Sequence, residues 1–323
     1  VAEIAPAGSD LLIVSSSPHL KTRETTQRLM GDVLIGLAPA AGVAAWLFGM
    51  RALGVMFAAV ASAVLAEHAV AVLGKRKTTV NDLSAAITGL LVAFNIPPSV
   101  PLWLPVIGSA FAVLVVKVMF GGLGGNFLNP ALAARALLLA AWPVHMTNWV
   151  RPFDMVATAT PLATLVPKGV AGLPLPSYLD MLIGRIPGSL GETSALALLI
   201  GGIYLLWRKV IDWHIPVGFI GTVAIMTWIF GPQGLGTGDP IAHVLAGGLI
   251  LGAFFMATDY TTSPVTPKGR LVMGIGCGIL TVLIRLWGGY PEGVSYSILL
   301  MNVATPLIDR VTEPRRFGLV KKA

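Results

Sequence analysis

Two hydroxyl side chains, Thr158 and Thr160, follow a lone carboxylate, Asp154, in the string Asp-Met-Val-Ala-Thr-Ala-Thr-Pro-Leu at residues 154–162. This is the longest polar break in an otherwise apolar chain, and it is where chemistry is most readily placed. Taken alone, a Thr-rich loop before proline is ordinarily a turn. A second string, Gly121-Gly-Leu-Gly-Gly-Asn126-Phe-Leu-Asn129-Pro130-Ala131, makes a tight, polar approach into an apolar segment. Asn129 suits a helix N-cap and Pro130 the first turn. The free N–H groups and positive dipole of such a terminus favour an anion such as a phosphate, although close helix packing explains the glycines as well. In Gly191-Glu192-Thr193-Ser194, Thr193 or Ser194 can cap the next helix, and Glu192 favours its positive end. Glu67, His68, Arg135, Asp239 and His243 are ionisable residues set among apolar ones. In a bilayer each costs about 2.5–3.5 kcal/mol, so they face an interior or a partner. A cation or proton route and structural pairing are both open readings.

The elements that must position these residues are membrane helices. The chain has 323 residues, of which 55% are hydrophobic and 11% charged, against roughly 25% charged in a soluble domain. Its net charge of +7 therefore speaks for basic residues held on one membrane face rather than for nucleic acid. The single cysteine, Cys277, excludes an internal disulfide and any Cys-rich cluster supplied by this chain alone. The first 28 residues lack the apolar core and cleavage site of a signal peptide. Ten apolar segments follow, at 29–49, 52–73, 82–96, 102–120, 129–142, 193–207, 215–231, 240–257, 269–287 and 293–309. Several are short, which a spanning segment tolerates only inside a bundle. With the N-terminus inside, sixteen Lys and Arg fall on inner loops and tails. Five fall outside (Arg51, Arg151, Lys168, Arg185 and Arg285). This bias predicts cytoplasmic termini and an extracytoplasmic 143–191 loop.

The expected fold is an all-α polytopic membrane protein of about ten transmembrane helices in two inverted five-helix repeats. Asp82 through Asn95 and Asp239 through Asp259 open matching spans. Lys117-x-x-x-Gly-Gly122 matches Arg285-x-x-Gly-Gly289, and Asn129-Pro-Ala131 matches Asn302-Val-Ala304. Five spans per half invert the second copy, and in such folds the site lies where the repeats meet. The chain then divides into a tail at 1–28, a first repeat at 29–142, an outer loop at 143–191, a second repeat at 192–310 and a tail at 311–323.

Residues 154–160 resemble the flavinylation motif Asp-x-x-Ser/Thr-Gly-Ala-Thr, with Asp154, Ala159 and Thr160 in register, Ala157 at the usual hydroxyl position and Thr158 at the usual glycine. Most of the chain resembles the D subunit of the Rnf ion-translocating electron-transport complex, a relative of the B subunit of the Na+-translocating NADH:quinone reductase. The Gly-rich Asn126-x-x-Asn129-Pro-Ala string, Gly191-Glu-Thr-Ser194, Ala257-Thr-Asp259 and Pro306-Leu-Ile-Asp309 carry that similarity. The resemblance implies FMN joined through its phosphate to Thr160, with Thr158 as the alternative acceptor. Arg151 would offset the phosphodiester, and Glu192, Thr193 and Ser194 would meet an isoalloxazine edge. Asn126 and Asn129, at the anion-favouring helix start, are further cofactor-binding candidates. A second, non-covalent flavin such as riboflavin is implied by the quinone-reductase relative. The implied partners are the other Rnf subunits, including one carrying extracytoplasmic FMN, and a flavin transferase. The complex would sit in the cell membrane and couple ferredoxin:NAD+ electron transfer to Na+ or H+ movement. The alternatives are the quinone-reductase subunit itself, or a channel or transporter of similar inverted-repeat fold.

Overall fold

The structure is a computed structural model that describes residues 25–75, 79–166, 175–231, 234–289 and 292–314. Most of the two expected tails, together with Arg76, Lys77 and Lys168, lies outside the described residues. The fold is almost wholly helical, and the only strands among the described residues are the two-residue pair Phe230–Gly231 and Gly234–Leu235.

Helix α1, Thr26–Leu73, begins where the Thr25 hydroxyl accepts from the Arg28 N–H at 3.2 Å. It carries the first two apolar segments and breaks between them at Gly49, whose φ of +63° a side chain would disfavour. Helix α2, Ser84–Phe94, ends at Asn95. Helix α3, Trp103–Phe111, continues as π-helical turns over Ala112–Val118. Helix α4, Pro130–Ala141, has Pro130 in its first turn, and the Asn129 side chain accepts from the N–H groups of Ala131 and Leu132. That is the capping read from the sequence. The 143–191 loop holds three short helices: α5 at Pro143–Met146, α6 at Pro161–Leu165 and α7 at Tyr178–Ile183. Helix α8, Ala195–Trp207, is capped by Ser194, and α9 runs over His214–Ile229.

The segment at 240–257, read from sequence as one span, is broken. Helix α10, Pro240–Leu245, stops at an extended Ala246 and a left-handed Gly247 (φ +69°). Helix α11, Leu249–Leu251, then resumes and passes into π-helical turns over Gly252–Met256. Helices α12, Pro267–Trp287, and α13, Val294–Thr312, complete the chain. By length and apolarity α1 and α12 can each cross a bilayer, whereas α2, α3 with its continuation, α4, α8 and α9 are apolar but shorter.

Packing rests on close backbone approach. Helix α1 packs on α2, α3 and α8, and α9 packs on α12. A methyl at Gly201 would fall inside the van der Waals shell of the Gly36 carbonyl oxygen, so α1 and α8 touch backbone to backbone. One turn away the Asp32 carboxylate accepts from Tyr204 (2.9 Å) and Arg208 (3.0 Å), which closes the same seam with a charged pair.

Candidate functional site

The Asp154–Thr160 string lies on a small hairpin. Val150 and Ala157 form an antiparallel bridge, the Arg151 N–H donates to Val156 O at 2.9 Å, and the Thr158 N–H donates to Trp149 O at 2.9 Å. Phe153 and Met155 take positive φ at the tip (67° and 54°), a conformation L-residues hold only where the surroundings enforce it. The surroundings are visible. The Phe153 N–H donates to Leu47 O, and its ring meets Trp46 edge to face at 5.4 Å. The Ser99 hydroxyl donates to Asn148 O, and Arg51 donates to the carbonyls of Pro98, Ser99 and Val100. Asp154 and Arg151 are exposed on this hairpin, and Thr158 is half-buried.

Thr160 sits at the N-cap of α6 and is only 6% exposed. The caps of α1, α4, α7, α8, α10 and α12 all use their side chains to accept from the first turn. Thr160 makes no such bond, so its hydroxyl is not committed to capping. Helix α6 is anchored instead by apolar contacts. Leu162 is fully buried, and Leu165 packs on the cluster of Met181, Ile186 and Ala242. Asp239 caps α10 and also accepts from the Tyr178 hydroxyl at 2.7 Å, which holds that phenol above its ordinary pKa range.

Leu162 docks on the broken span. A Cβ at Gly247 would lie 3.3 Å from Leu162 Cδ2 and 3.4 Å from Arg285 Nη2. Arg285, counted from sequence among the outer-loop cations, is instead buried inside α12. It donates to His243 O at 2.6 Å and Ala246 O at 3.2 Å, and so satisfies the last carbonyls of α10. Next to it, a Cβ at Gly248 would come within 2.6 Å of Glu192 Oε1. Glu192 in turn accepts from Arg135 Nη1 at 2.7 Å, the same nitrogen donates to Asn95 Oδ1 at 2.9 Å, and Arg135 Nη2 pairs with Glu292. Arg135 is thus paired with two carboxylates, whereas Arg285 is held by carbonyls. Their convergence joins α2, α4, α12, the break between α10 and α11, and the Glu192 loop. Thr193 is buried beside Glu192, and Ser194 is the residue that caps α8.

The structure does not bring Asn126 and Asn129 to Thr160. They line a second cavity with Leu29, Met30, Ser84, Lys117 and Asp259. Leu29 and Leu47 lie eighteen residues apart on one helix, or about 27 Å at 1.5 Å per residue. The Asn129 side-chain amide donates to Met256 O at 3.1 Å, and Asn126 donates to Leu128 O. Here Lys117 Nζ pairs with Glu67 (2.9 Å) and donates to Ser84 (2.6 Å), which gives Glu67 a structural partner, while His68 faces outward. His243 is buried in α10. Sequence reasoning picked out Arg135 and Glu192 but not Trp149, Arg285, Glu292 or Tyr296 around them. Arg285 carried a signal, a lone cation ending an apolar run. The aromatic residues carried none.

Residues 13–318 match the model of the NQR2, RnfD, RnfE family, and the chain belongs to that family. With its succession of apolar helices it is a membrane protein. It is 52% identical over 314 residues to the D subunit of the Na(+)-translocating ferredoxin:NAD(+) oxidoreductase complex of Acetobacterium woodii, covering 96% of each chain. It is 46% identical over 321 residues to the D subunit of the proton-translocating ferredoxin:NAD(+) oxidoreductase complex of Clostridium ljungdahlii, covering 96% of this chain and 97% of that one. Its identity to the D subunit of the ion-translocating oxidoreductase complex of Salmonella typhi is 36% over 346 residues, covering 94% and 98%.

Proposed function

We propose that this chain is the D-type membrane subunit of an ion-translocating ferredoxin:NAD+ oxidoreductase complex, and that it carries FMN joined through its phosphate to Thr160. The observation that carries the cofactor assignment is the Thr160 hydroxyl. It is uncommitted at a helix N-cap where the Ser, Thr, Asn and Asp caps of the other α-helices accept from the first turn, and it stands at the foot of a hairpin that presents Asp154 to a flavin transferase. The fit is chemical: a hydroxyl not engaged in capping is the group a phosphoester needs. Similarity over almost the whole chain to relatives named as D subunits supports the complex. When bound, FMN supplies one- and two-electron chemistry, and the protein supplies position and electrostatics. A sister subunit with its own extracytoplasmic FMN would exchange electrons with it. The Acetobacterium relative is named for Na+ and the Clostridium relative for protons.

The same reading makes the chain multi-pass, with ten spans in two inverted repeats and both termini cytoplasmic. Tryptophans support it, since they gather at membrane interfaces. Trp46, Trp103, Trp142, Trp149, Trp228 and Trp287 lie at the hairpin's end of the helices or in the adjoining loop, and Trp207 and Trp213 at the opposite end. The repeat-matched Asn129 and Asn302 also meet. With its amide turned to suit its neighbours, Asn302 accepts from the Asn129 N–H at 3.1 Å and donates to Thr262 O and Ile298 O. The Gly36–Gly201 contact pairs the first helix of each half in the same way.

Peptide mass spectrometry of the full chain made with an active flavin transferase tests the assignment. FMN minus water on the fragment holding Thr158 and Thr160, lost in Thr160→Ala and reduced in Asp154→Ala, is the expected result. FMN that persists in Thr160→Ala and disappears in Thr158→Ala would move the site by two residues. No flavin on either threonine would overturn the redox assignment of the loop.

A further inference from the structure

We propose that a cavity at the end of the helices opposite the hairpin binds a phosphate group, and that the phosphodiester of an anionic membrane lipid supplies it. Lys209, Asp212, Thr258, Tyr260, Ser263 and Arg270 line the cavity, where the turn between α8 and α9 meets the start of α12. None of its lining comes from α6 or the Arg135 network, so the site is separate from the flavin attachment and does not rest on it. The cavity holds about 190 Å³. A water needs only about 10–15 Å³ of such space, so a phosphate group, a few waters in size, fits together with its hydration.

The backbone singles out Lys209. The Val210 N–H donates to Leu205 O at 2.9 Å and the Lys209 N–H to Leu206 O at 3.0 Å, the paired bonds of a Schellman turn at the end of α8. That turn puts Lys209 in the left-handed region at φ +57°. Glycine is the usual residue there, because it takes this φ without strain. A lysine holds the position instead, and its ammonium has no hydrogen bond or ion pair among the described residues. A cation near a helix C-terminus also suits the dipole, but Arg208, one residue earlier, already serves that end.

Arg270 is fixed before any ligand arrives. Its Nε donates to Pro264 O at 3.1 Å and its Nη1 pairs with Asp212, which leaves Nη2 without a protein partner among the described residues. A guanidinium held in this way is a strong phosphate donor. The Ser263 hydroxyl is likewise unengaged among the described residues. Ile215 brings to the same cavity the first turn of α9, which no side chain caps, so its N–H groups add donors. Two cations against the Asp212 carboxylate leave the lining with one net positive charge, the complement of a phosphodiester. Depth argues for a lipid as the source. Trp207 and Trp213 flank the Lys209 turn and both are exposed, as tryptophans are at the headgroup layer. Basic pockets between helices at that layer take phospholipid head groups.

The test is native mass spectrometry of the detergent-solubilised full chain, titrated with phosphatidylglycerol, phosphatidylcholine or inorganic phosphate, alongside its melting temperature. Lys209→Gly is the informative variant, since glycine suits the left-handed turn while the cation is lost. Lys209→Arg keeps the charge, and Lys268→Gln removes an exposed cation that does not line the cavity. The expected result is one phosphatidylglycerol per chain, held in preference to phosphatidylcholine. Its affinity should fall about tenfold or more in Lys209→Gly, the loss of one charge-assisted bond, with the melting temperature unchanged or raised. Lys209→Arg and Lys268→Gln should bind as wild type does. Ser263→Ala should weaken binding several-fold, and reads the same cavity should Lys209→Gly fold poorly. Phosphatidylglycerol that binds Lys209→Gly and Ser263→Ala as tightly as wild type would overturn the site, as would an equal loss in Lys209→Gly and Lys268→Gln. Inorganic phosphate binding that Lys209→Gly abolishes, with no preference for phosphatidylglycerol, would support the phosphate cavity and overturn the lipid as its source.

Discussion

Gly247→Ala puts the joint between α6 and the broken span under direct strain. Gly247 has φ +69°, and an L-residue in that conformation costs about 1–2 kcal/mol. The new methyl also lies 3.3 Å from Leu162 Cδ2 and 3.4 Å from Arg285 Nη2. Leu162 can retreat a few tenths of an ångström, but Arg285 is fixed by two carbonyls. The combined loss is about 2–3 kcal/mol, centred where α6 docks. Gly248→Ala is the informative comparison. Its φ of −78° carries no backbone penalty, but its methyl meets Glu192 Oε1 at 2.6 Å and must push that carboxylate from Arg135. Thermal unfolding of the detergent-solubilised chain, read alongside FMN per chain, separates the two. Both variants should melt earlier, and on the proposed attachment at Thr160 Gly247→Ala should lose more FMN because it moves α6. Leu162→Ala combined with Gly247→Ala should fall short of additivity, since removing the leucine relieves that contact and leaves the backbone strain and the approach to Arg285. Combined with Gly248→Ala it should be closer to additive. A Gly247→Ala chain that melts with wild type and is fully flavinylated would refute the reasoning, for α6 would then not be seated on the break.

Three further outcomes follow from the buried charges and the helix seam. Arg135→Met leaves Glu192 and Glu292 without their shared cation and should destabilise the chain by about 3–5 kcal/mol in thermal or denaturant unfolding. Glu192→Gln, which retains an acceptor, should lose less. Lys117→Met should destabilise comparably by stranding the buried Glu67, and adding Glu67→Leu should recover most of the loss, because an apolar pair replaces an ion pair well. If the double variant is no better than the single one, the pair does more than balance charge. Gly201→Ala drives a methyl into the Gly36 carbonyl and should reach the upper end of the roughly 1–3 kcal/mol overpacking range, or exceed it. Gly221→Ala, which meets nothing within 4 Å, serves as the neutral control.

The parts legible in sequence are those written in neighbouring residues. Asn129-Pro130 reads as a cap and first turn, and the structure has both. Thr193 or Ser194 is an open choice for the next cap, and Ser194 takes it. Each apolar segment contains helix, because a run of apolar residues needs no partner to announce itself. The hairpin is not legible as a hairpin. Its positive-φ positions hold Phe153 and Met155 rather than Gly or Asn, and the bonds that enforce them come from Leu47 and Trp46, a hundred residues away. The break at Gly247 is hidden for the opposite reason. Glycine is common in membrane helices, so Gly-Gly inside an apolar run does not mark a chain interruption. What distinguishes Gly247 is Arg285, which satisfies the carbonyls that the interruption frees.

That compensation explains why one small region gathers so many signals. A broken helix in apolar surroundings leaves carbonyls that must be bonded. Arg285 bonds them, but a buried guanidinium needs a counter-charge, and Glu192 lies over the adjoining glycine. Glu192 then pairs with Arg135, and Arg135 with Asn95 and Glu292. Each group is required by the one before it, and the series begins at the glycine on which Leu162 of α6 rests. Because Gly247 and Gly248 carry no side chains, α6 and the Glu192 carboxylate can sit directly on the backbone of the broken span. A continuous helix with ordinary side chains at those positions would hold both at a distance. Filling the break should therefore displace α6 and the Arg135 network together, and, on the proposed flavin attachment, the flavin content of the Gly247 and Gly248 variants reads out that coupling.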